Sequence, residues 1–393
     1  MESLRILLVH NYYRIRGGED SVFENEKRLL EEAGHTVIPY TRHNDDAGTG
    51  VFGKLRLPFT ALYSRRTYRE VRRIIKRERI DIVHVHNTQM LISPTVFRAA
   101  KRMGVPAVQT VHNFRMVCPA ATLYRDGAIC EECIAHGFSP SVRHRCYRGS
   151  RFQSLLLASV LRLHRFLGTF RHVHFICLTE FNREMLLRAN RKRTVVDPER
   201  IYIKPNFASA TAAPPIAFAE RENAVLFAGR LDPLKGVDVL LDAAQSLSDG
   251  RILIAGTGPE QARMCERIEA QGLSERVLML GQKTPAQVRE LMGRVRATVL
   301  PTLWYEGFPM TIAESLSVGT PVIVSDLGNA GAIVRENETG LHFPAGDGNA
   351  LAACIRSLPD LVDSSRAYYE EHLAPEANLR ILTEIYRDIL KEH

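Results

Sequence analysis

The sequence predicts an α/β protein made of two parallel-sheet domains. Three observations carry this. Short Val- and Ile-rich runs alternate with amphipathic runs along most of the chain, the pattern of strand–helix–strand units. The alternation lapses once, in the Pro/Ala-rich "ASATAAPPIAF", and then restarts. The chain has 393 residues, a length for about two domains.

The elements follow in order. "LRILLVHNYY" reads as a first strand, "RIRGGED" as a Gly-rich turn and "SVFENEKRLLEEAG" as an amphipathic helix that ends at Gly34. Glycine suits that position because it accepts the left-handed conformation that closes a helix. "HTVIPYT", "DIVHVHN", "PAVQTVHN", "HFICLTE" and "IYIKPNF" are further strands. After the lapse, "AVLFAGRL", "RILIAGTGP", "VLMLGQ", "ATVLPT" and "PVIVSD" repeat the design with helices between them. The expected division is residues 1–205, then 206–372, with 206–219 as linker. A closing helix over 373–393 is expected to pack back towards the first domain.

Composition narrows the function classes. The chain is 45% hydrophobic and 24% charged, ordinary for a globular protein. It lacks an apolar run of about 18 residues, so no membrane-spanning helix is expected, and the start is too short for a secretory signal. Cytoplasmic residence is the expectation. The net charge of +8 is unevenly placed: residues 1–205 carry 35 Lys and Arg against 19 Asp and Glu, and residues 206–393 carry 17 against 25. Such asymmetry points the first half at an anionic partner. Two basic, aromatic-bearing stretches, 54–80 and 143–175, suit the plane of an anionic membrane. Nucleic acid is not expected, because no reader motif is present.

Several motifs fall where α/β sheets bind ligands, beyond the carboxyl ends of strands. Gly17 and Gly18 open the first helix, where backbone can approach a phosphate. Arg230 and Lys235, in "GRLDPLKG", supply a planar fork and a point charge suited to a diphosphate. Gly256 and Gly258, in "GTGP", permit close approach or form an ordinary turn. In "EGFPMTIAE", Glu306 and Glu314 stand eight apart. On one continuous helix their side chains would diverge by about 80°. Pro309 favours a first helical turn, which leaves Glu306 in a loop and Glu314 inside the helix.

Taken together, these motifs resemble glycosyltransferase family 4, retaining enzymes of the GT-B fold, over nearly the whole chain. The resemblance rests on Gly17-Gly18-Glu19, Arg230 with Lys235, "GTGP", and "EGFPMTIAE" followed by "GTPVIVSD". It implies two Rossmann-like domains around a cleft and a nucleotide-sugar donor (UDP-, GDP- or ADP-linked) held mostly by the second. Arg230 and Lys235 would neutralise the diphosphate as the leaving group gains charge. Glu306 would take hydrogen bonds from sugar hydroxyls, and Glu314 from the ribose. Gly307 to Met310 would start the helix against sugar and phosphate, with Phe308 and Met310 offering N–H groups that Pro309 lacks. Gly17 and Gly18 would close over the phosphate. His112 stands where the family has a histidine near the donor sugar. With no covalent nucleophile and no D-x-D motif in view, the resemblance implies front-face transfer without a required metal cofactor. The acceptor would be a glycan or polyprenyl-diphosphate-linked glycan, with the enzyme peripheral on the inner face of the membrane. One departure stands out: in "LGNAGAIV", Ala330 and Ala332 occupy positions where the family often has an acid.

Cys118, Cys130, Cys133 and Cys146 form C-x11-C-x2-C-x12-C within an insertion at about 114–150. That spacing fits a structural zinc folding an insertion without an apolar core of its own, or four reduced thiols. The competing functions are a nucleotide-sugar epimerase, a phosphorylase on the same fold, and a non-catalytic sugar-nucleotide-binding protein.

Overall fold

The computed structural model describes residues 3–14, 17–47, 51–191, 194–210 and 213–393, with only the backbone described at 51–56. Ile15 and Arg16 of the first Gly-rich turn, and Thr211 and Ala212 of the expected linker, lie outside the described residues. The chain forms two compact units. One comprises Met1–Arg125, Cys130–Lys204 and Leu379–His393, and the other Asp126–Ile129 and Pro205–Asn378.

In the first unit, β1 (Arg5–Tyr12), β2 (Thr36–His43), β3 (Ile82–Val85), β4 (Ala107–Val111), β5 (Val173–Cys177) and β6 (Ile201–Ile203) make one sheet in the order β2-β1-β3-β4-β5-β6. Every pairing is parallel. A parallel sheet is covered on both faces, so its strands are apolar throughout. Ile6, Ile82, Val108 and Ile176 bury one face against Leu30 and against Leu382, Ile385, Tyr386 and Ile389 of the last helix, Pro375–Lys391. The basic helix Arg65–Glu78 starts at Ser64, whose hydroxyl accepts the Thr67 N–H at 3.2 Å.

In the second unit, β7 (Glu222–Ala228), β8 (Arg251–Ala255), β9 (Val277–Gly281), β10 (Val295–Leu300), β11 (Val322–Ser325) and β12 (Gly340–Phe343) run β9-β8-β7-β10-β11-β12, again all parallel. The strand order reverses between β7 and β10, the kind of place where such sheets open a binding crevice. Phe227, Ile254 and Val299 pack beneath helix Val237–Ser246, and Leu300, Val322 and Val324 beneath helix Met310–Leu316.

Part of the expected linker is packed against the fold. Phe207 and Ala208 are buried, the Ala208 N–H donates to Leu373 O at 3.2 Å, and the Tyr369 hydroxyl donates to Ala208 O at 2.6 Å. Both backbone polar groups of Ala208 are thus satisfied. The cysteine-bearing insertion is anchored on a neighbouring helix: Cys133 and Phe138 pack on Ala158 and Leu161 of helix Arg151–Phe166.

Candidate functional site

Beyond β7 and β8 the two loops run so close that side chains are excluded. A Cβ on Gly256, whose φ is +152°, would lie 1.8 Å from Gly229 O, and one on Gly258 would lie 2.2 Å from Leu231 O. The Gly229 N–H donates to Ala255 O, and the Leu231 N–H to Thr257 O, both at 3.0 Å. These glycines therefore serve backbone against backbone, extending the ladder past the strands. The result is an open cavity of about 520 Å³ lined by Arg230, Gly256, Thr257, Gly258, Lys283 and Glu314 among others. Arg230 is largely exposed, 4.0 Å from Asp232 Oδ2. Burial raises the Glu314 carboxyl above its ordinary range, partly opposed by the Arg289 charge. Lys283 was missed by sequence reasoning. It follows β9 with no motif around it, and only the sheet order brings it beside Arg230.

Lys235 and Glu306 meet each other. The ammonium lies 2.9 and 2.8 Å from the two carboxylate oxygens, although 71 residues separate them. The family resemblance assigns these residues separate tasks; the structure pairs them, so each sets the other's position. The Glu306 loop is tied from beneath by Asn329, whose buried amide donates to Glu306 O at 2.5 Å and Gly307 O at 2.6 Å. Asn329 belongs to the "LGNAGAIV" departure, so that segment supports the loop through its amide. Pro309 is the N-cap rather than a first-turn residue: its ψ of 104° is extended, and Met310 begins the helix. Phe308 and Met310 pack their side chains on the core around Ile312 and Val324. Glu306 thus lies before the helix and Glu314 within it.

In the first unit, Gly17 caps helix Gly18–Glu32 with φ −121°, and a Cβ on Gly17 or Gly18 would meet nothing within 4 Å. Local packing therefore does not require glycine at either position. A cavity of about 70 Å³ is lined by Glu19, His86, Gln89, Gln109, His112 and Arg115 among others. The Glu19 carboxyl is pushed up to about 7 by burial, while Tyr13, Arg115 and Asn113 favour its ionised form. Beneath His112 runs a network that sequence reasoning missed. His112 Nε2 lies 2.9 Å from His86 Nδ1, His86 Nε2 lies 3.1 Å from Glu26 Oε1, and Glu26 Oε2 lies 2.9 Å from Lys204 Nζ. His84 stacks on His86 and bonds the Tyr386 hydroxyl at 2.6 Å. A signal for part of this existed: His84 in β3 and His86 just past its end stand two apart, the spacing that puts side chains on one face of an extended chain.

Among the described residues, Glu26, His84 and His86 form the group whose potential metal-ligand atoms lie within 4.8 Å of one another. The Lys204 ammonium already occupies that carboxylate, and its charge opposes a cation there. Of the four insertion cysteines, Cys118 and Cys133 are buried and Cys130 and Cys146 half-buried. Burial, then the neighbouring Cys118, pushes the Cys133 thiol up to about 12, with Cys146 and Cys130 adding to it.

Comparison with known proteins gives these features a family. The family model described as Glycosyltransferase Family 4 matches residues 16–210, and that described as Glycosyl transferases group 1 matches residues 210–371. The phosphatidyl-myo-inositol mannosyltransferase of Mycobacterium leprae is 36% identical over 159 residues, 39% of this chain and 42% of the relative. The D-inositol 3-phosphate glycosyltransferase of Mycobacterium sp. (strain KMS) is 30% identical over 298 residues, 71% of this chain and 58% of the relative. The matches thus span about half the length of these relatives. Anabaena HepE, solved in complex with UDP, superposes with a TM-score of 0.65 at 16% identity, covering 98% of this chain and 100% of that one. The two six-stranded parallel sheets of this chain are of GT-B type, and with the two family models together matching residues 16–371 the chain belongs to glycosyltransferase family 4.

Proposed function

We propose that this protein is a retaining glycosyltransferase that moves a sugar from a nucleotide-diphosphate sugar to a glycan or lipid-linked acceptor. The observation that carries the reading is the cavity beyond β7 and β8, where Arg230 and Lys283 line one wall system with Glu314. Two cations suit a diphosphate, and a half-buried carboxyl suits ribose hydroxyls. UDP in Anabaena HepE and the inositol-linked names of the mycobacterial relatives support a nucleotide donor and a hydroxylated acceptor. Glu306 fits a role as acceptor of sugar hydroxyl hydrogen bonds, with Lys235 holding its carboxylate in place. Arg230 would stabilise charge on the departing nucleotide. Front-face transfer needs no protein nucleophile, and none is assigned.

The decisive experiment is a thermal-shift screen of UDP-, GDP- and ADP-sugars, followed by turnover with the stabilising donor. A donor at about 100 times its Kd stabilises by about 2.7 kcal/mol. Glu306→Gln should lower kcat on the order of 10²-fold. Stabilisation by none of the donors would overturn the reading; stabilisation without turnover would favour a binding protein.

The same proposal places the first unit on an anionic membrane surface. No helix among the described residues is long and apolar enough to cross a membrane. Phe59 on helix Val51–Leu62, and Phe152, Leu155 and Phe166 on helix Arg151–Phe166, are exposed beside many arginines. Flotation with anionic liposomes at low salt should carry the protein up, and failure to float would refute it. The cysteine quartet remains proposed as a structural zinc site, for which purified protein should hold one zinc per chain.

A further inference from the structure

The hydrogen bonds beneath His112 have a polarity that follows from one end. Glu26 is fully buried. Burial alone would favour its protonated form, but the Lys204 ammonium at 2.9 Å, the largest opposing influence, holds it well below the usual carboxylate range. It is a carboxylate, and a carboxylate only accepts. His86 Nε2, 3.1 Å from Glu26 Oε1, must therefore carry hydrogen. Lys204 already neutralises Glu26, so a second proton on His86 would leave an unbalanced positive charge in the interior. His86 is then neutral, with a lone pair on Nδ1. Its neighbour at 2.9 Å, His112 Nε2, has to donate. Burial, with His86 beside it, keeps His112 neutral, well below the ordinary imidazole value. Its Nδ1 is left as a lone pair, and that atom has no hydrogen-bond partner among the described residues. The ring lines the cavity of the first unit.

We propose that Glu26 and His86 are positioning residues that hold His112 as its Nε2–H tautomer, so that Nδ1 presents an acceptor to a hydroxyl of bound substrate. The tautomer stands on the geometry alone; the identity of the hydroxyl rests on the glycosyl-transfer reading.

The test is ¹⁵N spectroscopy of the full-length protein labelled at histidine, with the His112 signals assigned by their loss in His112→Gln. The expected spectrum has an unprotonated Nδ1 and a protonated Nε2. A protonated Nδ1, or an imidazolium at neutral pH, overturns the proposal from the unmutated protein alone. Glu26→Gln supplies the second arm. Lys204 would take the amide oxygen, leaving the NH2 group towards His86. His86 would then have to accept at Nε2 and donate from Nδ1, and His112 would switch to Nδ1–H. The kcat should fall on the order of 10²-fold with a much smaller change in donor KM, while Glu26→Asp keeps the tautomer and most of the activity. A folded Glu26→Gln protein with an unchanged His112 tautomer overturns the relay. The expected tautomer in a protein without transferase activity would support the relay and overturn the functional reading instead.

Discussion

Each unit contains a short Lys–Glu pair, and the two pairs differ in little but their surroundings. Lys204 lies 2.9 Å from Glu26 with both side chains at most 1% exposed. Lys235 lies 2.8 Å from Glu306 with side-chain exposures of 26% and 9%. Distance alone would equate them. Burial separates them, because a charge pair removed from water leaves a large penalty if one partner is lost, whereas a partly solvated pair leaves a small one. The deep pair therefore belongs to the architecture, and the shallow pair is free to act on a ligand.

The sharpest way to break this contrast is to remove each lysine. Lys204→Met should cost about 3–5 kcal/mol of stability by stranding the Glu26 charge. Lys235→Met should cost about 1 kcal/mol or less, yet abolish most donor turnover. Trp304 is the single tryptophan of the chain and lies in the second unit, so its fluorescence follows that unit's unfolding, while far-UV circular dichroism follows both. In Lys204→Met the circular-dichroism transition should move to lower temperature well ahead of the fluorescence transition. Equal destabilisation by the two substitutions would remove the distinction.

The contrast also explains what could be read in the sequence. Strands, helices, the Gly-Gly turn and the "EGFPMTIAE" motif are contiguous, so periodicity and local chemistry reveal them. The pairings are not contiguous. Glu26 meets Lys204 across 178 residues, and Lys235 meets Glu306 across 71. Nothing local distinguishes Lys204 in "IYIKPNF" from a surface lysine at a strand end. Asn329 beneath the Glu306 loop is equally hidden, since "LGNAGAIV" is informative only for the acid it lacks. Pro309 falls one position from its expected place because proline is compatible with both the cap and the first turn, and its extended ψ of 104° puts it at the cap.

A smaller effect tests the glycines. Gly17 and Gly258 both stand in turns after strands, yet only Gly258 is crossed by backbone: Leu231 O would lie 2.2 Å from a methyl there, and nothing would crowd one on Gly17. Gly258→Ala should cost about 1–3 kcal/mol through forced separation of the two loops, seen as an early tryptophan-fluorescence transition. Gly17→Ala should leave stability nearly unchanged. If Gly17→Ala nonetheless impairs turnover, its space is used by substrate rather than by the fold.

The remaining test is a pH dependence larger in the first unit, and its sign follows from the direction of each shift. Burial lowers His84 to about 3, and His164 and His174 to about 4, each from an ordinary 6.5. In the unfolded chain these imidazoles protonate as pH falls through 6.5, but in the fold they stay neutral. Their contribution is fully present above 6.5 and is lost as pH falls from 6.5 towards 4. Glu19 runs the other way: with its folded value raised to about 7, it favours the fold most below its unfolded value and less as pH rises through 7. His10, His35, His112 and His172 are lowered as well, so the histidines outweigh Glu19 and the first unit should weaken on acidification between pH 6.5 and 4. Below that window the depressed Glu26 adds a further loss as its unfolded counterpart takes up protons. The second unit contains only His342 and His372, both outside its apolar core, so its tryptophan transition should move less over the same window. Denaturant unfolding at pH 7.5, 6 and 5, followed by both probes, measures the difference. A tryptophan midpoint that falls as steeply as the circular-dichroism midpoint would show that the buried histidines of the first sheet do not set its acid sensitivity.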